Sequence, residues 1–408
     1  MGQTFRLSSS LRAEPLEVTL ARARAVAGWL GITRVTEITR LDRVGVPVFA
    51  SIRPNALPGS LCVNAGKGVS VMEARVGAYM EAVEFAFAEY GRSGLEVHAA
   101  PARQVYEGPD RPDAILDFCP VMRAEVALDA TVACVEAADI VSGEKFPVPA
   151  ELVFLPFPGA LRTPRYFSSN SNGLCSGNSV LEATVHGLAE VIERDCISFM
   201  LVDDQSRLVA APTLPPPLRD LAAQVSAAGL ELYLRHQSNV FGVPFFRAVV
   251  AEQGCTDPVY ISEGYGCHLS RDIAATRAVC ESLQSRLSFI HGGRDDLIKR
   301  YKLFGSRAEN ERAAYAERLL GEVSGSAGAI DFEETADCSD VATDLASALA
   351  VLTAKLAQNG IRRVLRVIYT PADYPVHVAR ILAPGLECFN HTTARVGLRL
   401  RDHVRSRL

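Results

Sequence analysis

The stretch Ser176-Gly-Asn-Ser-Val-Leu-Glu-Ala-Thr-Val-His-Gly-Leu-Ala-Glu-Val-Ile-Glu-Arg-Asp195 decides how this chain is read. A glycine-bearing turn and a serine able to cap precede apolar residues at helical spacing, so a helix is expected over 179–200. Carboxylates fall inside this otherwise apolar segment. Asn178 and Glu182 are four apart, as are Glu190 and Arg194, while Glu190 and Glu193 stand one turn apart on a shared face. Like charges so placed repel, and a partly buried pair requires a cation between its carboxylates, whereas a solvated face requires none.

Upstream the same spacing recurs in Met80-Glu-Ala-Val-Glu-Phe85, where Glu81 and Glu84 share one face of a helix expected from Ser70 to Tyr90. Two such pairs facing one another would form an all-oxygen site suited to Mg2+, the hard cation that bridges nucleotide phosphates. Downstream, a helix expected over 272–290 carries Arg277, Glu281 and Gln284 along one stripe. Arg277 either pairs with Glu281 within the helix or grips a phosphate. Arg286, Arg294, Asp295 and Asp296 follow, with no preference between surface and functional roles, and His186 reads as an ordinary helix histidine.

Around these helices the pattern is mixed. An amphipathic helix is expected over 15–30, short strands over 32–52, and strand-and-loop material as far as about 166. Further helices are expected over 218–229, 307–320 and 342–358, with strands over 231–235, 245–251 and 363–368. Glycine-bearing loops at 65–68, 168–177 and 264–267 each lead into a polar-faced helix, and no short-period repeat is evident. Strands and unevenly spaced helices together predict an α+β (mixed α/β) fold with mixed sheets and flanking helices.

Composition narrows the function. A net charge of -5, from 42 Lys plus Arg against 47 Asp plus Glu, argues against a surface tuned for nucleic acid. No apolar run long enough for a membrane span occurs, and the first residues lack the apolar core of a secretion signal, so a cytoplasmic protein is expected. The 10 cysteines show no Cys-x-x-Cys spacing, which points to buried free thiols. Neither the Walker A spacing nor the kinase and dinucleotide glycine fingerprints are present. The residues alone therefore point to a magnesium-dependent, phosphate-handling enzyme.

The strings Ser171-Asn-Gly-Leu-Cys-Ser-Gly-Asn178 and His186-Gly-Leu-Ala-Glu-Val-Ile-Glu-Arg-Asp195 closely resemble the signature of the YcaO family. They are joined in order by Gly66-Lys67-Gly68, Met80-Glu-Ala-Val-Glu84, Arg277 to Arg286, Gly293-Arg-Asp-Asp296 and Ala383-Pro-Gly-Leu-Glu387, so the resemblance spans essentially the whole chain. It implies a YcaO-type fold with a non-Walker ATP site. Residues 1–60 would be a helix-and-strand segment contributing to the nucleotide site, integrated with a catalytic core over 61–408. By resemblance, Glu81, Glu84, Glu190 and Glu193 are magnesium ligands. Asn178, Glu182, Arg194, Arg277 and Glu281 contact nucleotide or its metals, with Gln284 on the same stripe counted among them. Arg194, Arg277 and Glu281 are further expected to act in catalysis. Arg12 and Thr19 stand where relatives carry a Lys and a Ser that meet the nucleotide.

The family chemistry so implied is ATP-dependent activation of a peptide-backbone amide through its oxygen. An external sulfide gives a thioamide, a neighbouring Cys, Ser or Thr gives an azoline, and an amine gives an amidine. The blocks Gly31-Ile-Thr-Arg-Val-Thr-Glu-Ile-Thr39, Leu41-Asp-Arg-Val-Gly-Val-Pro47 and Arg53-Pro-Asn55 resemble the subgroup paired with TfuA-like proteins, and no proline follows Pro384 where azoline formers commonly carry a proline-rich tail. A thioamide product with a TfuA-like sulfur-delivery partner is therefore expected, acting on a ribosomally made precursor peptide or protein. No separate peptide-recognition domain is evident, and a homodimer is compatible with the sequence. The reading from another class is a non-catalytic ATP-binding or docking component of a peptide-modification complex.

Overall fold

The computed structural model describes residues 4–106, 111, 113–159, 163–294, 297, 302 and 305–407. In chain order the elements are β1 Phe5–Arg6, β2 Leu11–Arg12, α1 Leu16–Ala27, β3 Arg34–Glu37, β4 Val48–Ile52, β5 Val63–Lys67, α2 Val71–Ala88, β6 His98–Pro101, β7 Thr131–Asp139, β8 Lys145–Pro149 and β9 Leu174–Gly177. Then follow α3 Val180–Met200, β10 Arg207–Leu208, α4 Pro216–Ala227, β11 Leu230–His236, β12 Phe245–Glu252, β13 Ser262–Cys267, α5 Arg271–His291, α6 Glu309–Ser324, α7 Leu345–Gln358, β14 Leu365–Ile368, β15 His377–Leu382 and α8 Leu398–Arg405. This is the α+β mixture that the alternation of patterns predicts. None of the described helices is long and apolar enough to cross a membrane.

The chain forms two compact units. The first comprises Met1–Ala56, Leu61–Ala82 and Gln205–Asp344. It contains the hairpin β1-β2, an antiparallel sheet β3-β4-β5 and an antiparallel sheet β10-β11-β12-β13. Its main core sets Leu218, Leu221 and Val225 of α4 and Ala274, Ala278 and Leu283 of α5 against Phe246, Ala248 and Val250 of β12. Farther along α5, Leu287 joins Val48 and Ala50 of β4, so one helix is tied to both sheets of the unit.

The second unit comprises Leu57–Ser60, Val83–Asp204 and Leu345–Leu408. Its sheet runs β6-β7-β14-β15-β9, with β8 also paired to β7, and every pairing is antiparallel. Helix α3 packs on β9 and β15, and α7 packs on α3.

The helices start where the serines predict. Glu73 N–H donates to Ser70 Oγ at 3.2 Å while Ser70 N–H donates to the Glu73 carboxylate at 3.0 Å, a reciprocal capping box for α2. Ser179 Oγ accepts from Glu182 N–H at 3.1 Å and starts α3.

The expected loops at 65–68, 168–177 and 264–267 are corrected by the structure, because strands β5, β9 and β13 occupy much of them. At Gly66 and Gly264 glycine permits contact rather than a turn, whereas Gly173, at φ of +75°, sits in the turn before β9. A Cβ on Gly66 would lie 2.0 Å from Ala78 N of α2, and one on Gly264 would lie 2.1 Å from Ser282 N of α5. Each strand can therefore lie directly on the backbone of the helix that follows it. Each is also an edge strand of its sheet. After each comes a serine, Ser70, Ser179 or Ser270, and then a long helix, so one strand–serine–helix unit occurs three times.

Gly66→Ala should cost the first unit about 3 kcal/mol, the upper range for overpacking, because backbone lies in the way. Gly28→Ala, at a helix end with φ of -62° and nothing within 4 Å, should be neutral or slightly stabilising. Chemical denaturation of the two variants checks this contrast.

Candidate active site

Counted from the capping serines, the acidic pairs occupy equivalent places. Glu81, Glu190 and Glu281 stand eleven residues after Ser70, Ser179 and Ser270, and Glu84, Glu193 and Gln284 stand fourteen after. The third stripe is thus a copy of the two carboxylate pairs with its last acid replaced by an amide. The copies share geometry as well as spacing. Ala65 N–H donates to Glu81 at 3.0 Å, and Tyr265 N–H donates to Glu281 at 3.3 Å, in both cases from an edge strand to the helix that follows it. An edge strand leaves backbone N–H groups without a ladder partner, and these glutamates satisfy one each.

Within the first unit, burial pushes the Glu81 carboxyl above its ordinary range, opposed by Arg294, the Ala65 amide and Lys67, and reinforced by Glu281. Lys67 Nζ donates to Glu281 at 2.5 Å, and Gln284 Nε2 donates to the Ala65 carbonyl at 2.7 Å. The intrahelical Arg277–Glu281 pair is not formed, and Arg277, partly buried, has no hydrogen bond or ion pair among the described residues. Arg286 by contrast is fully engaged, by Asp42 at 2.9 Å and Glu252 at 3.0 Å, and belongs to the packing of the unit. Arg12 Nε donates to Ser10 Oγ at 2.9 Å, and Thr19, buried in α1, donates its hydroxyl to the Pro15 carbonyl at 3.2 Å. Asp295 and Asp296 lie outside the described residues.

Within the second unit, Ser176 Oγ donates to Glu84 at 2.6 Å. The Cys175 thiol is pushed well above its usual range, first by burial and then by the charges of Glu84 and Glu190. Glu193 is 3% exposed and stands 3.5 Å from the Arg194 guanidinium. Glu182, 1% exposed, accepts from Asn178 Nδ2 at 3.2 Å. Behind this face of α3, Asp195 accepts from Arg399 and from Glu387 N–H at 2.7 Å, and burial pushes its carboxyl up to about 6. Glu387 in turn accepts from the Gly397 and Leu400 amides at 2.6 and 2.8 Å, anchoring the closing segment to α3.

Sequence reasoning left Lys67, Ser176, Asp195 and Arg399 without roles. Lys67 and Ser176 hold equivalent places, three residues before Ser70 and Ser179, and each contacts a carboxylate of the acidic stripes. The repeat register is the signal that would have found them.

The donor set fits Mg2+ with a nucleotide. The partly buried acids offer hard oxygen ligands. Among the described residues no three His, Cys, Asp or Glu side chains are grouped to hold a metal by themselves. Mg2+ takes one or two carboxylates and completes its shell with phosphate oxygens and water.

The fold is shared with the structure of YcaO from Methanopyrus kandleri bound with AMPPCP and Mg2+, at a TM-score of 0.74 and 23% identity, covering 98% of each chain. That likeness defines the architecture as the YcaO fold. The chain belongs to the YcaO family: residues 65–387 match the family profile described as YcaO cyclodehydratase, ATP- and Mg2+-binding, so ATP and Mg2+ are its cofactors. It is 35% identical over 377 residues to an uncharacterised protein of Methanothermobacter thermautotrophicus, covering 92% of this chain and 94% of the other. It is 30% identical over 383 residues to an uncharacterised protein in the tfuA 3' region of Rhizobium leguminosarum bv. trifolii, covering 90% and 87%.

Lys67→Met should destabilise the first unit by about 1–3 kcal/mol, the cost of leaving the partly buried Glu281 carboxylate without its cation. Adding Glu281→Gln should recover part of that loss. A double-mutant cycle by urea denaturation measures the coupling, expected at about 1 kcal/mol or more.

Proposed function

We propose that this protein uses ATP to activate the oxygen of a peptide-backbone amide and that its product is a thioamide, made with a TfuA-like sulfur-delivery partner. The observation that carries the activation step is the recurrence, in a YcaO-family chain, of partly buried carboxylates at one helical spacing, together with Arg277, a cation that has no partner among the described residues. A guanidinium without a protein anion suits a phosphate. Glu81, Glu84, Glu190 and Glu193 would hold Mg2+, which supplies positive charge to the phosphate oxygens. Asn178, Glu182, Arg12, Thr19 and Gln284 would orient the nucleotide, while Arg194, Arg277 and Glu281 would act where charge develops during transfer.

The reaction balances as follows. Hydrosulfide adds to the amide carbon, and the resulting oxyanion takes the γ-phosphoryl group of ATP. The carbon–oxygen bond then breaks, the oxygen leaves with phosphate, and loss of the sulfur-borne proton gives the thioamide, ADP and phosphate. Phosphate leaves far more readily than oxide, which is the purpose of the ATP. The tfuA-region relative supports the sulfur-delivering partner. The family description as a cyclodehydratase supports a second reading, in which a neighbouring Cys, Ser or Thr of the substrate replaces hydrosulfide and an azoline results.

Mass spectrometry separates the two. Precursor peptide incubated with enzyme, Mg2+, ATP, sulfide and the TfuA-like protein should gain about sixteen daltons by exchange of oxygen for sulfur, and should gain little or nothing when the TfuA-like protein is left out. Loss of about eighteen daltons at a Cys, Ser or Thr would overturn the thioamide in favour of the azoline.

The phosphate role of Arg277 has its own readout. Arg277→Gln should lower turnover about a hundredfold, as loss of a transition-state donor does, while the melting temperature stays near that of wild type. Glu190→Ala and Glu193→Ala should abolish Mg-ATP binding measured by isothermal titration. Wild-type affinity in both would remove the metal assignment.

A further inference from the structure

The third strand–serine–helix unit is chemically inverted at its helix start. In the first two units the residue three after the serine is acidic, Glu73 and Glu182, and the residue two before it is glycine, Gly68 and Gly177. In the third unit these places hold Ile273 and His268. Around Ser70 the acid collects donors: Glu73 accepts from the Ser70 amide at 3.0 Å, from the Ser70 hydroxyl at 3.2 Å, and from the Ser8 and Ser9 hydroxyls at 2.6 and 3.3 Å. Around Ser270 there is no such acid. The Ser270 amide donates to His268 Nδ1 at 3.0 Å, and the Ser270 hydroxyl accepts from the Arg6 guanidinium at 2.9 Å.

With Nδ1 accepting, the imidazole carries its proton on Nε2. Burial, then the charges of Arg277 and Arg6, push its pKa down to about 3, so the ring remains a neutral donor at physiological pH. The carboxylate of Asp337, which also bears on the ring, is already engaged by the Arg271 amide at 3.0 Å and the Ser339 hydroxyl at 2.6 Å. The Arg6 guanidinium and the imidazole thus meet at Ser270, where the third unit has Ile273 in place of the acid, and the charge of Arg277 bears on the ring.

We infer that His268 and Arg6 are further phosphate-binding residues, His268 through Nε2–H, completing with Arg277 the grip on the phosphate chain of the nucleotide. This inference rests on the nucleotide reading given above and adds residues to it. A neutral donor suits such a place because a third full positive charge beside Arg6 and Arg277 would be repelled.

The competing explanation is that His268 only replaces the missing glutamate as a partner for the Ser270 amide. Two substitutions in the full-length protein separate the roles. His268→Asn keeps an oxygen near the Nδ1 position, able to accept from the amide, and loses the distal donor. His268→Gln keeps an N–H near the Nε2 position. Isothermal titration of a non-hydrolysable ATP analogue with Mg2+, beside thermal melting without nucleotide, reads both. His268→Asn should melt close to wild type and bind about tenfold or more weakly, the weight of one hydrogen bond to a charged group, and Arg6→Gln should lose a similar factor. His268→Gln should recover most of the affinity. Wild-type affinity in His268→Asn, with or without a lowered melting temperature, overturns the inference. If that result accompanies lost binding in Glu190→Ala and Arg277→Gln, the nucleotide reading survives alone, whereas a wild-type protein that takes up no nucleotide overturns both.

Discussion

The contact on which the rest depends is the seating of a glycine-bearing edge strand directly on the backbone of the helix that follows it. At Gly66 and Gly264 there is no room for even one carbon. Such closeness brings the helix side chain eleven residues beyond the serine within reach of the strand's free amide, and a carboxylate there closes the hydrogen bond. A larger residue in the strand would lift the helix away. The edge amides would lose their acceptors, and the acids would lose the contacts that hold them in place.

Charge follows from that seating. Glutamates held against strand backbone are drawn out of water, and their mutual repulsion has to be met by something positive. The first unit answers Glu281 with its own Lys67, and its third stripe substitutes Gln284 for an acid, so that copy is balanced from within. In the second unit Glu84 accepts from the Ser176 hydroxyl. Arg277 presents the opposite surplus, positive charge with no protein anion among the described residues.

Much of the site was legible because its residues lie at helical spacings, and spacing on a helix survives whatever the rest of the chain does. Glu81 with Glu84, Glu190 with Glu193, and the stripe through Arg277, Glu281 and Gln284 could be read on that ground. Lys67 and His268 could not. Each acts through a partner or a place that local periodicity does not encode, Lys67 by reaching a helix 214 residues away and His268 by standing where two other copies have glycine. The glycine motifs misled for a related reason: glycine marks both turns and close approaches, and only a neighbouring helix distinguishes them.

By itself the sequence determined the helices that carry the acids, the serines that start them and the membership in a family that uses ATP without a Walker loop, since these depend on short-range periodicity and on strings of residues in order. Tertiary structure decided that edge strands run through the three glycine segments, that Glu281 belongs to Lys67 rather than Arg277, and that His268 accepts from the Ser270 amide at the third helix start. Those outcomes depend on which backbones come within a few ångströms of one another, and that distance is set by packing between segments far apart in the chain.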